Sequence, residues 1–147
     1  MVAPSSNTQS RAGHAVVELV FMMPWLFFLF VGALDFGFYS HALVSVQNAA
    51  RISALYTAQC AGTAADQPGA CQRAALELSK MPNARSFAGG CASGPLVVTA
   101  TAFTDPDGQL ASRVQVAYQT VRLIPIPGVV VGQATIRRTA EVKVFGD

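Results

Sequence analysis

The chain has 147 residues, room for one small domain and an anchor. Its apolar share of 52% and mean hydropathy of +0.39 are high for a soluble domain, and its charged share of 12% is about half the usual one. The net charge of +2 comes from scattered basic residues, with no Lys/Arg cluster to track a phosphate backbone. That balance argues against nucleic acid as a partner.

Residues 1–13 include Pro4, Ser5, Ser6, Asn7, Thr8, Gln9 and Ser10. This composition predicts a disordered leader, expected in the cytoplasm. An apolar run follows over residues 15–34, opening at Ala15 and closing at Leu34, with Glu18 as its sole charge. About 20 residues at ~1.5 Å each reach ~30 Å, enough to cross a bilayer core as a helix. A secretory signal has a shorter apolar region of roughly 7–15 residues. The exit Gly32-Ala33-Leu34-Asp35 is a poor match to its cleavage site, so the segment is expected to be retained. Arg11 precedes the run and Asp35 follows it, which predicts an N-terminus inside and the bulk of the chain outside. Pro24 lies within the run and predicts a kink or a loosened turn.

A carboxylate within such a helix costs roughly 2.5–3.5 kcal/mol on insertion scales, so Glu18 is expected to have a partner. Cleavage between Gly13 and His14 would place a new α-ammonium one helical turn from it. The competing reading is that Glu18 snorkels to the headgroups from a shallow depth.

The helix is expected to continue to about residue 61. Phe36, Tyr39, Leu43, Val46 and Ala50 form a heptad-like stripe expected to cover the protein's own sheet. Residues 63–70, with Pro68-Gly69, predict a loop, and residues 70–81 a second short helix closed by Pro82. Residues 83–95 predict a loop rich in glycine.

The last third changes to period two. Leu96, Val98, Ala100 and Ala102 alternate with Val97, Thr99, Thr101 and Phe103. The turn Asp105-Pro106-Asp107-Gly108 follows. Val114, Val116, Tyr118 and Thr120 form a second alternating set, and Ala134, Ile136, Ala140, Val142 and Val144 a third. Arg138 breaks the third and marks either a bulge or a sheet edge. Between the last two sets, Leu123-Ile124-Pro125-Ile126-Pro127-Gly128 and the valines after it read as an apolar loop, packed on the core edge or exposed to a partner. Three one-sided strands need a cover, and the amphipathic half of the long helix is the obvious one. The expected fold is α+β. It divides into a leader (1–13), a transmembrane helix continuing as an amphipathic one (14–61) and an extracytoplasmic domain (62–147).

Cys60, Cys71 and Cys91 form no Cys-x-x-Cys pair, and neither His14 nor His41 stands at metal-ligand spacing from them. One disulfide and one free thiol suit an oxidising compartment. All three pairings are open, as are three unpaired thiols. Cys60–Cys71 is favoured because a short loop joins the two expected helices there. No catalytic constellation, phosphate-cradling glycine loop or calcium loop appears, so neither an enzyme, a cofactor, a metal nor a small-molecule substrate is expected.

Over residues 11 to about 56 the chain resembles the TadE-like pseudopilins of the tight-adherence (Flp-type) pilus machinery. The elements are Arg11 and Gly13 before the span, Glu18 at the fifth position after the glycine and Pro24 within the run. The exit Leu34-Asp35-Phe36-Gly37 and the later Gln47-Asn48-Ala49-Ala50-Arg51 also fit. Residues 134–144 look like the family's terminal strand. The resemblance implies cleavage between Gly13 and His14 by a prepilin peptidase on the cytoplasmic face. It also implies a minor pilin in the bacterial cytoplasmic membrane, partnered by other pilins and the assembly machinery. The alternative is a permanently anchored envelope protein whose outward domain binds another envelope component.

Overall fold

In the computed structural model, which describes residues 8–83, 87, 90–121 and 133–146, the first element is a helix α1 over Thr8–Thr57. It begins before His14. Residues 8–13 are helical rather than a disordered leader, because a helix already nucleated by the apolar run adds residues at low cost. Residues 1–7 of the expected leader lie outside the described residues, as do the glycine-rich stretch around Gly89 and the apolar loop around Pro125 and Pro127.

The chain divides into two units, Met1–Gly37 and Phe38–Asp147. In the first, every residue from His14 to Leu34 except the half-buried Val31 is exposed. The helix runs through Pro24 without a break.

In the second unit the described residues supply the end of α1, a helix α2 over Gln67–Glu77 and three strands, β1 (Leu96–Thr104), β2 (Leu110–Gln119) and β3 (Thr135–Lys143). The fold is α+β, as expected. The sheet is antiparallel in the order β1-β2-β3. Its register gives three rows across the core face: Leu96–Tyr118–Ile136, Val98–Val116–Arg138 and Ala100–Val114–Ala140. The pairing of β2 with β3 is continuous, so Arg138 marks no bulge. It stands on the core side of an edge strand, where its exposed guanidinium discourages further pairing.

The helix face that meets this core overlaps the predicted stripe only in part. Ala42, Val46, Ala49, Ala50, Ser53, Ala54 and Thr57 are buried. Phe36 is 72% and Tyr39 40% exposed. The sheet brings Tyr118, Leu96, Val98, Val114 and Val116 into the core, and a close-packed interior then takes small residues opposite. The stripe therefore holds at Val46 and Ala50, which are buried, and at Leu43, which packs against the core, and fails at Phe36 and Tyr39.

Two element boundaries also move. α1 ends at Thr57 rather than near residue 61, since the next carbonyls are claimed by tertiary partners. Thr63 Oγ1 donates to the Thr57 carbonyl (3.3 Å) and Phe145 N to that of Ala58 (3.0 Å). α2 starts at Gln67 instead of residue 70. Asp66 is its N-cap, accepting from Gly69 N (3.2 Å), and Pro68 sits in the first turn, where its missing N–H costs nothing. The Pro68-Gly69 pair is thus part of the helix. After Glu77 a 3-10 turn, Leu78–Lys80, ends before Pro82.

The disulfide joins Cys71 to Cys91, with Cα atoms 5.7 Å apart, and Cys60 is free. This corrects the Cys60–Cys71 expectation. Cys71 lies on α2 facing the loop that enters β1, and Cys91 is buried there, its carbonyl accepting from Val98 N (3.0 Å). Cys60 belongs to the turn before α2, where Thr63 is its neighbour.

Candidate functional site

Gly13 and His14 lie in the helical stretch that opens α1, and Glu18 follows His14 by four residues. On an α-helix that interval is one turn, about 6 Å along the axis. His14 and Glu18 are both exposed, and no ion pair joins them among the described residues. Between Ala15 and Leu34 the exposed side chains include Phe21, Trp25, Phe27, Phe28 and Phe30. An isolated helix with this surface would be unstable in water, and a bilayer suits it, since its backbone groups, apart from the carbonyl that Pro24 leaves free, bond within the segment. Glu18 is then the one carboxylate within an otherwise apolar span.

The second unit carries a polar cluster that sequence reasoning missed. Tyr56 donates its hydroxyl to Asp66 Oδ2 (2.8 Å), and the Arg73 guanidinium lies 5.3 Å from the Tyr56 ring centroid. The hydrogen bond to Asp66 raises the Tyr56 pKa above its ordinary value. A Cβ at Gly69 would run into the Tyr56 ring and the Asp66 carboxylate, so glycine leaves room for this hydrogen-bonded pair. The one local signal was Asp66 followed by Pro68, a helix start. At Cys60, the Thr63 hydroxyl 3.5 Å from the sulfur and the Thr63 backbone N–H hold the thiol below its ordinary pKa.

The outer face of the sheet is polar. Thr99, Thr101, Arg113, Gln115, Thr139 and Glu141 line a shallow hollow on it, with Arg113 Nε donating to Glu141 Oε1 at 2.7 Å. At the β1–β2 hairpin, Lys143 Nζ pairs with Asp105 (3.1 Å) and Asp107 (2.9 Å). This answers the carboxylates of the turn with an ammonium. Among the described residues no three His, Cys, Asp or Glu side chains converge as a metal site.

Among the described residues one helix is long and apolar enough to cross a membrane, and it precedes a small α+β unit, an order consistent with the class of single-pass membrane proteins. Within that class, a family model described as TadE-like protein matches residues 13–55, from the expected cleavage glycine almost to the end of α1. The match covers less than a third of the chain and shows what that stretch is similar to. α2 and the sheet lie beyond the matched residues. No curated protein and no solved structure matches the chain.

Proposed function

We propose that this chain is a minor pseudopilin of a tight-adherence pilus, a structural subunit for assembly or initiation that a prepilin peptidase matures between Gly13 and His14. The observation that carries the proposal is Glu18, a lone carboxylate one helical turn from His14 on an exposed apolar helix. Glycine before the cut leaves the backbone open to a protease. Cleavage frees an ammonium at His14, and this charge, from the same chain or a neighbour, neutralises Glu18 in the bilayer. A polar pair that can form in only one alignment sets the register between subunits, as a single buried polar residue does in coiled coils. The proposed role is structural and non-catalytic.

The proposed orientation places the leader in the cytoplasm and the second unit outside the cytoplasmic membrane. The Cys71–Cys91 disulfide supports it, because such bonds persist in oxidising compartments.

The test is mass spectrometry of the mature N-terminus after co-expression with an active prepilin peptidase. A chain beginning at His14 is expected, and Gly13→Leu should retain the leader. An intact leader on the wild-type chain beside a peptidase that cuts its other substrates overturns the proposal in favour of a permanently anchored binding module.

A further inference from the structure

In the second unit, Ile52 (40%) and Leu55 (46%) are exposed although apolar, on the side of α1 turned away from the buried Ala49, Ser53 and Thr57. With Tyr56, Gln59 and Arg73 they line a shallow, largely apolar hollow. Arg73 is held at its edge by its contact with the Tyr56 ring. The next turn of α2 carries Leu76, 61% exposed, and the exposed Glu77 beside it. Leu76 stands on the side of this helix opposite the buried Ala74, while Glu77 continues the row of the buried Ala70 to the helix end, where it is exposed. Neither Arg73 nor Glu77 has an ion-pair partner among the described residues. Within one helix, arginine preceding glutamate by four residues is the less favourable order. These two charges therefore gain little from each other in a single chain.

We propose that this outer α1–α2 surface is a self-complementary contact through which two copies of the chain pair. Each feature finds its complement on the same surface: an apolar hollow and a protruding leucine, a guanidinium and a carboxylate. A two-fold axis satisfies both at once, since in an isologous contact residue i meets residue j and j meets i. Leu76 of each copy enters the hollow of the other, and Arg73 of each meets Glu77 of the other. The central leucine is desolvated, and the two crossed ion pairs form the rim.

The test uses the full-length chain in detergent micelles, with sedimentation equilibrium as the readout and circular dichroism to confirm that each variant is folded. The wild type is expected to dimerise. Leu76→Asp and Arg73→Glu should each weaken the dimer by about tenfold or more, and Arg73→Glu/Glu77→Arg should recover most of the loss. A wild-type monomer overturns the proposal. So does a dimer unchanged by Leu76→Asp and Arg73→Glu, which would place association on the apolar span. A photo-crosslinker at position 76 should give a product of two copies; adducts with another protein alone also overturn it. The proposal does not depend on the pilus assignment, because none of these readouts requires Glu18 or cleavage.

Discussion

Ser112 Oγ in β2 lies 2.7 Å from Thr57 Oγ1 at the last residue of α1, and both side chains are fully buried. The same Ser112 oxygen is 2.8 Å from the Ala64 carbonyl. One serine therefore ties the middle strand to the end of the long helix and to the turn beyond it. Ser112→Ala removes a partner from two buried polar groups. It should cost about 1–3 kcal/mol, read as a lower urea midpoint at unchanged slope.

The Cys71–Cys91 bond closes a loop whose ends are 20 residues apart. Loop entropy for that length gives about 3 kcal/mol. Cys91→Ser, or reductant on the wild type, should lower thermal stability by that order. Peptide mapping without reductant should find Cys60 alkylated and Cys71 linked to Cys91. A Cys60–Cys71 peptide would contradict the fold.

Gly69 and Gly62 offer a paired comparison. A Cβ at Gly69 meets the Tyr56 ring and the Asp66 carboxylate, whereas one at Gly62 meets nothing within 4 Å. Gly69→Ala should destabilise by about 1–3 kcal/mol through overpacking, and Gly62→Ala should be nearly neutral. Equal melting temperatures for the two variants would count against the α1–α2 contact described here.

The ion pairs of Lys143 predict how stability responds to pH. The hydrogen bond from Lys143 holds Asp107 below its ordinary value, so its contribution is present above that value and is lost as pH falls through the lowered one. The hydrogen bonds to Asp107 and Asp105 raise the Lys143 pKa, so its contribution is present below the ordinary lysine value and is lost as pH rises through the raised one. Both contributions hold through the neutral range. Lys143→Met should flatten the melting-temperature profile at its acid and alkaline ends. The effect is small, because exposed pairs are screened.

Glu18→Gln keeps the size and hydrogen-bonding capacity of the side chain while removing its charge. The variant should insert into the membrane at least as well as the wild type, since the costly carboxylate is gone. It should still fail to support pilus assembly. Wild-type pilus yield with Glu18→Gln, in a strain lacking the native copy, would end the register mechanism without touching the cleavage assignment.

The local signals in this chain are strong where the physics is local. The apolar run, Glu18 within it and the Gly13–His14 junction are written in consecutive residues. So are the period-two strands, whose core-facing Leu96, Val98, Val114, Val116 and Tyr118 are buried as their alternation predicts. Parity sets which face a strand residue takes, and the centre of the sheet is buried accordingly, while Ala102 and Arg138 on the same face are exposed. The resemblance was legible over residues 11 to about 56, and the family model matches within that stretch, at residues 13–55.

The tertiary structure decided what depends on partners distant in sequence. The cysteine pairing rests on where α2 meets the entry to β1, which no spacing encodes. The true buried face of α1 depends on the bulk of the sheet opposite it, so alanines that look unremarkable in a row become the contact. The end of α1 is set by Thr63 and Phe145 capturing its carbonyls. A helix terminus whose last acceptors can be satisfied from elsewhere in the fold stops where those donors arrive, and not where its own residues cease to favour a helix.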